Sequence, residues 1–201
     1  MVNKADLKDK EVLEVGSGRG GGASYITRYF QPKKYTALDI SKNVISFCND
    51  YHQNVEGLNF IKGFAEKLPF DNQSFDFVVN VESARCYSSI DKFFSEVKRV
   101  LRPGGEFLFA DMIRKGDVDS INQKLEQNGF EIIQKTDISK NVVEALNFDT
   151  DRRKNLIDSL IPGFLNKHFQ QFAGTKETER YRSFANGKME YWSYILKLKE
   201  I

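Results

Sequence analysis

The sequence of 201 residues predicts an α/β protein in which helices cover a mostly parallel, Rossmann-like sheet. Strand-like and helix-like segments alternate through the first two thirds of the chain, a glycine-rich turn follows the first strand, and a carboxylate ends the second strand. The length fits one domain with a proper hydrophobic core and is too short for two. We therefore expect a single domain over 1–201, with residues 139–188 as a helical cap inserted between strands 6 and 7.

Short apolar runs bounded by turn residues predict seven strands. They fall at 11–15, 35–39, 58–62, 75–80, 105–111, 130–137 and 189–198. Helices are predicted between them, at 21–30, 42–53, 90–101 and 117–128. Ser41 and Ser89 are the expected N-caps, because a serine hydroxyl can accept a hydrogen bond from a backbone N–H of the first turn. Pro103-Gly104-Gly105 ends the third helix.

The segment from 139 to 188 departs from this alternation. It predicts helices at 141–148 and 152–172, the second interrupted at Pro162-Gly163, before the last strand. Aromatic residues are dense here and in the last strand: Phe148, Phe164, Phe169, Phe172, Tyr181, Phe184, Tyr191 and Trp192. They suit a flat or lipid-like ligand, but they also build the core of an inserted helical layer, so they identify no ligand by themselves.

Charge and cysteine content argue against several classes of protein. Lysine and arginine total 30 against 28 acidic residues, a net charge of +2, so we expect no nucleic-acid partner. Cys48 and Cys86 form no disulfide framework, and neither a leader nor a long apolar span is present, which predicts a cytoplasmic protein without a membrane span. No cluster of cysteine, histidine and aspartate has metal-ligand spacing, so no metal is expected.

Residues 14–22, Glu-Val-Gly-Ser-Gly-Arg-Gly-Gly-Gly, form the most informative motif. Glycine is needed where a tight turn requires backbone angles that a Cβ forbids, and where the backbone approaches a ligand at a helix N-terminus. The letters fit both the G-x-G-x-x-G of dinucleotide sites and the E/D-x-G-x-G-x-G of S-adenosylmethionine (SAM) enzymes. Asp39, 23 positions after Gly16, is expected to accept hydrogen bonds from the ribose hydroxyls of either cofactor.

The fourth strand supplies another candidate. The sheet's switch point lies between the first and fourth strands, so residues at their carboxyl ends share one crevice, and Asn80 should face a ligand there. A nicotinamide enzyme of this size would need a second nucleotide-binding half, or a tyrosine and a lysine four apart beyond the fourth strand. The only such pair, Tyr29 and Lys33, lies in the first crossover. The sequence therefore disfavours a nicotinamide enzyme.

The ordered motifs resemble those of class I SAM-dependent methyltransferases. They are the run from Glu14 to Asp39 and residues 65–70, 76–80 and 101–105, spread over most of the chain. The resemblance implies a sheet in the order 3-2-1-4-5-7-6 with strand 7 antiparallel. Within this superfamily, residues 80–87 and the tail around Tyr181, Phe184, Gly187 and Tyr191 are similar to small-molecule O-methyltransferases that act on glycolipid, polyketide and other secondary-metabolite hydroxyls.

The resemblance also implies which residues contact the cofactor. The set comprises Glu14, Gly16, Ser17, Gly18 and Gly20 for the methionine part, Asp39 for the ribose, Ile40, Phe64 and Ala65 for the adenine, and Asn80 in the crevice. Many relatives carry an aspartate where this chain has Phe64. Backbone contact and apolar packing would therefore replace a side-chain hydrogen bond to the adenine amino group.

The catalytic residues depart from the family pattern. Related enzymes commonly carry a histidine at or next to the position of Arg85, where its near-neutral pKa suits proton removal. Arginine stays protonated and cannot act as a base, so Arg85 is assigned to substrate binding. Tyr87, two residues further on, is assigned to substrate binding as well. Asp111, which ends the fifth strand, and Glu82 are the candidate catalytic bases. The alternatives are an N-cap or an ion pair with Arg114 for Asp111, and an ion pair with Arg85 for Glu82.

The sequence thus predicts a SAM-dependent methyltransferase that moves a methyl group to a hydroxyl of a small-molecule or lipid-linked metabolite. The alternatives are an N- or C-methyltransferase, or a SAM-binding, catalytically weak subunit that needs a partner. Strand 1 begins about ten residues from Met1, whereas similar enzymes carry helices before it. Either this is a reduced form, or the 139–188 segment and a neighbour in a homo-oligomer cover the cofactor.

Overall fold

Seven strands form the sheet of the computed structural model, which describes residues 1–160, 162, 165, 169, 175, 176 and 178–199. The strands are β1 Glu11–Val15, β2 Lys34–Asp39, β3 Leu58–Lys62, β4 Phe75–Val81, β5 Leu101–Arg114, β6 Phe130–Asp137 and β7 Met189–Leu198. Their order is β3-β2-β1-β4-β5-β7-β6, with β7 antiparallel. The predicted fold class, strand order and direction of strand 7 are confirmed.

Helices connect the strands. The described residues form α1 Gly21–Phe30, α2 Lys42–Tyr51, α3 Ile90–Val100, α4 Val118–Gln127, α5 Ser139–Leu160 and α6 Glu179–Ala185. The predicted N-caps are confirmed: the Ser41 hydroxyl accepts a hydrogen bond from the Val44 N–H at 3.4 Å, and the Ser89 hydroxyl accepts one from the Lys92 N–H at 3.3 Å. The first four helices match their predicted ranges to within two residues.

Three predicted boundaries were wrong. β5 starts at Leu101 rather than at 105, because Leu101 already pairs with Phe75 and a register shift follows before Phe77. It also continues to Arg114, so Asp111 lies within the strand and does not end it. The break predicted between 148 and 152 is absent, since α5 continues through this stretch. There Asp149 forms ion pairs with Arg152 and Arg153, one helical turn further on.

The chain divides into two compact units. The larger contains Met1–Asp111, Asp119–Lys135 and Ser193–Ile201, and the smaller contains Met112–Val118 and Thr136–Trp192. Several residues of the predicted cap, including Gly163, Phe164 and Phe172, lie outside the described residues. The single domain with its cap therefore stays a prediction. No helix in the described part of the chain has the length and apolar character needed to cross a bilayer.

The larger unit has an aromatic core beneath its sheet. Phe93, Phe94, Phe107, Phe109 and Phe130 are all buried, and neighbouring rings in this group lie 5.5–6.1 Å apart between centroids. Such close-packed interiors resist deformation. The core therefore fixes the positions of the strands that carry the predicted site residues.

Strand register brings these residues to one edge. Val15 in β1 pairs with Leu38 in β2, and Val81 in β4 pairs with Ala110 in β5. Because the four strands run parallel, the loops that follow them leave from the same end of the sheet.

Candidate functional site

A cavity of about 540 Å³ lies at the carboxyl ends of the central strands. It is lined by Val15, Gly16, Gly18, Leu38, Asp39, Ile40, Gly63, Phe64, Ala65, Glu66, Glu82, Ser83, Cys86, Tyr87 and Ser88. Eight of the predicted site residues belong to this wall: Gly16, Gly18, Asp39, Ile40, Phe64, Ala65, Glu82 and Tyr87. The other six, Glu14, Ser17, Gly20, Asn80, Arg85 and Asp111, do not. The volume suits a small organic ligand.

The glycines of the turn after β1 have different roles. Gly16, Gly18 and Gly20 all have positive φ, at 78°, 51° and 75°. A Cβ on Gly16 would lie 2.3 Å from the Ser83 Oγ, and one on Gly20 would lie 2.5 Å from the Phe60 ring, so close packing within the protein requires both. A Cβ on Gly18 would meet no protein atom within 4 Å. Gly18 therefore presents bare backbone to open space.

Asp39 joins the end of β2 to the glycine turn. Its Oδ2 accepts a hydrogen bond from the Gly18 N–H at 3.0 Å, and its Oδ1 accepts one from the Ser41 N–H at 2.9 Å. A carboxylate has about four acceptor positions, so both oxygens retain the capacity to accept hydroxyl hydrogens. The carboxylate can therefore stabilise the turn and bind a diol.

Asn80 is fully buried at the end of β4 and supports the cavity wall. Its Nδ2 lies 2.9 Å from the Val15 carbonyl oxygen, 2.8 Å from the Ser83 Oγ and 2.9 Å from the Tyr87 hydroxyl. Burial raises the pKa of Tyr87, so its hydroxyl stays protonated. Ser83 was not among the predicted site residues, although its place three residues after Asn80 is a usable signal.

Two buried polar atoms beside the cavity lack partners. The Asn80 Oδ1 and the Ser17 Oγ make no hydrogen bond within the described part of the chain. Leaving such atoms unpaired costs about 1–3 kcal/mol each. The Asn80 amide cannot simply turn over, because its Nδ2 then would no longer face the Val15 carbonyl. A ligand with both donor and acceptor groups can satisfy both atoms.

Large apolar side chains are exposed at the cavity. Ile40 is 60% exposed and Phe64 is 53% exposed, so neither is a core residue. Both line the cavity with buried Ala65. This arrangement suits a flat apolar ring, and direct adenine contact stays a prediction for all three.

The carboxylates of Asp111 and Glu82 lie in different environments. Asp111 is 2% exposed, and its Oδ1 lies 3.1 Å from the Arg85 Nη1 while its Oδ2 accepts the Arg85 backbone N–H at 3.3 Å. Arg85 thus pairs with Asp111 rather than with Glu82, and the alternative of Arg114 as the partner of Asp111 was wrong. Glu82 is exposed and belongs to the cavity lining, and its carboxylate makes no hydrogen bond or ion pair within the described residues. Its φ of 55° is rare for a residue other than glycine and places strain beside the cavity.

The loops on two sides of the cavity are joined through Glu66. Its Oε1 accepts hydrogen bonds from the Ser88 backbone N–H at 2.8 Å and from the Ser88 hydroxyl at 2.9 Å. Burial opposes ionisation, but hydrogen bonds from its own backbone and from Ser88 outweigh it and lower the pKa of Glu66.

The charge of the wall is one-sided. Asp39, Glu66 and Glu82 line the cavity, and its described lining contains no lysine, arginine or histidine. The part of the chain that the structure describes also holds no group of acids, cysteines or histidines that could bind a metal.

Glu14 lies behind the wall and is almost completely buried. Its Oε2 accepts a hydrogen bond from the Tyr35 hydroxyl at 3.0 Å, and its Oε1 lies 3.5 Å from where a Cβ on Gly22 would be. Burial raises the pKa of Glu14 to about 7, although the Tyr35 hydrogen bond lowers it. Cofactor contact through this side chain stays a prediction, as it does for Ser17 and Gly20.

Glu14 should make stability fall as pH rises. Its folded pKa of about 7 exceeds the unfolded value of 4.5, so the unfolded chain loses this proton first and the free energy of unfolding decreases between these two pH values. The full loss is on the order of 3 kcal/mol. We expect Glu14→Gln to remove most of this slope in urea denaturation at about pH 5 and about pH 8. The exposed Glu126→Gln should keep the wild-type slope, and an unchanged slope in Glu14→Gln would refute the assignment.

Comparison with known proteins shows what the chain resembles. A family model described as a methyltransferase domain matches residues 13–109. The chain is 37% identical over 198 residues to the phthiotriol/phenolphthiotriol dimycocerosates methyltransferase of Mycobacterium leprae, covering 96% of this chain and 71% of that protein. It is also 37% identical over 191 residues to the fatty-acid O-methyltransferase of Mycolicibacterium smegmatis, covering 95% and 69%.

Solved structures show the same fold at low sequence identity. A putative sarcosine dimethylglycine methyltransferase from Galdieria sulphuraria superposes with a TM-score of 0.80 at 15% identity, covering 94% of this chain and 78% of that chain. Phosphoethanolamine N-methyltransferase 2 from Haemonchus contortus, in complex with S-adenosylhomocysteine, gives a TM-score of 0.82 at 19% identity, covering 96% and 50%.

Proposed function

Because this chain belongs to the class I SAM-dependent methyltransferases, we propose that it transfers a methyl group from SAM to an uncharged hydroxyl of a lipid-linked acceptor. SAM is its cofactor, and the sulfonium group supplies an electrophilic methyl group. The observation that carries the choice of acceptor is the cavity wall, which contains three carboxylates and no lysine, arginine or histidine in its described lining.

The residues of the cavity fit the chemistry of SAM. Asp39 can accept hydrogen bonds from a ribose diol, and Ile40 and Phe64 present exposed apolar surface for a purine ring. The unpartnered Asn80 Oδ1 can accept a hydrogen bond from an ammonium group, and the Ser17 hydroxyl can donate one to a carboxylate. We assign cofactor binding to these five residues and to the backbone around Gly18.

Charge favours a hydroxyl acceptor over a free acid. The relatives are named for phthiotriol and phenolphthiotriol dimycocerosates and for fatty acids. In this chain a free carboxylate would enter a site that already holds the negative charges of Asp39, Glu66 and Glu82. Each like charge at about 5 Å costs roughly 1 kcal/mol even in a water-like medium. Arg85 cannot offset this repulsion fully, because it is already paired with Asp111.

We assign proton removal to Glu82 and a positioning role to Asp111. Glu82 belongs to the cavity lining and no described residue engages its carboxylate, whereas both Asp111 oxygens contact Arg85. As the acceptor oxygen attacks, it loses its proton, and Glu82 is the carboxylate available to receive it. Arg85 lies outside the cavity wall, but its Nε and Nη2 have no partners among the described residues, so these groups are available for the predicted contact with the acceptor. Holding reactants in line can itself supply about 7–11 kcal/mol.

Gly18→Val should abolish SAM binding with little loss of stability. The new side chain enters open space in the cavity and clashes with no protein atom, so its main folding cost is the positive φ of this residue. We expect no binding in calorimetry and a free energy of unfolding within about 1–3 kcal/mol of the wild type. Tight SAM binding by the folded variant would show that the turn serves only the packing of the protein.

The acceptor class is tested with a long-chain alcohol and the acid of equal length. With radiolabelled SAM, we expect methyl transfer to the alcohol at a kcat/KM at least about tenfold above that for the acid, since repulsion from two or more carboxylates exceeds 1.4 kcal/mol. A preference for the acid would overturn the proposed acceptor. Binding of SAM without transfer to any alcohol, acid or amine would instead favour a subunit that needs a partner.

Glu82→Gln and Asp111→Asn distinguish the two carboxylates. Loss of the proton acceptor should lower kcat of Glu82→Gln by about 10²- to 10⁴-fold. Asp111→Asn keeps a hydrogen-bond acceptor for Arg85, so its main effect should be a higher KM for the alcohol. The assignment is reversed if Asp111→Asn is inactive and Glu82→Gln turns over normally. Normal kcat in both variants would mean that no side chain of this pair removes the proton.

A further inference from the structure

A second cavity, of about 510 Å³, lies at the opposite end of the sheet. Asn72 and Gln73, which line it, come just before β4, whereas Glu82 and Ser83, which line the first cavity, come just after β4. At about 3.3 Å per residue, the seven residues of β4 separate the two cavities by roughly 20 Å. The second cavity is therefore a separate site, and its size suits a small organic ligand.

The lining of the second cavity is positively charged. It includes Lys98, Arg99 and Lys199, and its described part contains no aspartate or glutamate. The first cavity is the reverse, with three carboxylates and no lysine, arginine or histidine in its described lining. Charge therefore favours an anion in the second cavity and disfavours one in the first.

The three cations differ in what they already bind. The Arg99 guanidinium donates two hydrogen bonds to the Glu96 carboxylate, at 2.8 and 2.7 Å, and others to two backbone carbonyl oxygens. The ammonium groups of Lys98 and Lys199 have no acceptor within the described part of the chain. These two lysines are therefore available to bind an anion.

Both lysines lie beside Gly129, which follows α4. The Lys199 backbone N–H donates a hydrogen bond to the Gly129 carbonyl oxygen at 3.0 Å, and a Cβ on Gly129 would lie 3.2 Å from the Lys98 Nζ. The end of β7 and the last turn of α3 thus meet at this point. Two ammonium groups that line one cavity repel each other, and an anion bound by both offsets this repulsion.

The rest of the wall offers apolar surface and open backbone. Leu101, Pro103 and Leu198 contribute hydrocarbon groups to the lining. Gly104 also lines the cavity, and a Cβ on it would meet no protein atom within 4 Å. The cavity therefore has room for a ligand that is apolar over part of its surface.

We infer that the second cavity binds an organic anion that carries an apolar chain. Lys98 and Lys199 bind its carboxylate or phosphate group, because a lysine ammonium group acts as a point charge that suits either anion. The chain packs against the three apolar residues, where burial of hydrocarbon adds affinity. This site depends neither on the proposed cofactor residues nor on the proposed acceptor.

The site is tested by calorimetric titration of the full chain with decyl phosphate and with decanoate, both below their micelle concentrations. Both probes should bind, and the tighter one identifies the preferred anionic group. Lys98→Gln and Lys199→Gln should each weaken binding by about fivefold, as expected for one charge contact at about 4 Å in a water-like medium. Inorganic phosphate lacks the chain and should bind at least about tenfold more weakly than decyl phosphate. Raising the salt concentration should weaken both probes.

Matched variants and a neutral probe locate the bound anion. Lys92→Gln makes the same change on the exposed first turn of α3, outside the cavity lining, and should keep the wild-type affinity. Gly104→Val fills open space in the cavity and should abolish binding of decyl phosphate. Decanol lacks the charge and should bind equally to the wild type and to both lysine variants. SAM should bind with unchanged affinity in the presence of saturating decyl phosphate.

Three results would overturn the inference. They are no binding of either anionic probe, equal affinity in the lysine variants and the wild type, and competition between decyl phosphate and SAM for one cavity. A Lys98→Gln variant that is less stable but keeps the wild-type affinity would assign Lys98 only to packing against Gly129. Failure of methyl transfer would refute the proposed function and leave this site intact.

Discussion

The hydrogen bond from the Asn80 amide to the Val15 carbonyl oxygen is the constraint on which the site depends. It joins the ends of β1 and β4, the two strands between which the connections of the sheet diverge. The same amide nitrogen reaches Ser83 and Tyr87, so the glycine turn and the loop after β4 are held by one buried side chain. Because a Cβ on Gly16 would collide with Ser83, the turn and this loop can pack only when residue 16 is glycine. The residues proposed to bind the cofactor and the acceptor are thereby held close together.

This arrangement leaves the Asn80 Oδ1 without a partner. A buried amide that is only half satisfied is costly for folding alone, but it is suited to a site whose ligand completes the network. The strained φ of Glu82 fits the same pattern. Both features lie within three residues on the chain, and both place unfavourable energy next to the cavity rather than in the aromatic core.

The carboxylates around the cavity differ in burial and in their hydrogen-bond partners, and their roles differ accordingly. Glu14 is deeply buried and bonded to Tyr35, and burial raises its pKa to about 7. Asp111 is buried too, but it is compensated by Arg85. Asp39 and Glu66 hold backbone N–H groups of the surrounding loops, and Glu82 is left with no partner in the described chain. One type of side chain therefore supports the scaffold, anchors an arginine and supplies free negative charge.

The sequence alone predicted the strands, the N-caps and the glycine turn with its acid at the end of β2, because these depend on local periodicity and on residues close in the chain. The strand order followed from the resemblance to class I SAM-dependent methyltransferases, not from any local pattern. Only the tertiary structure decided which acid pairs with Arg85. Asp111 lies 26 positions away and reaches it because β5 runs beside β4, whereas Glu82 is a near neighbour in sequence that lines the cavity and does not pair with Arg85. The role of Ser83 in supporting the glycine turn also required the tertiary structure, because its hydroxyl contacts the Val15 carbonyl oxygen, 68 positions away. Contacts between distant segments depend on strand register, which no local pattern records.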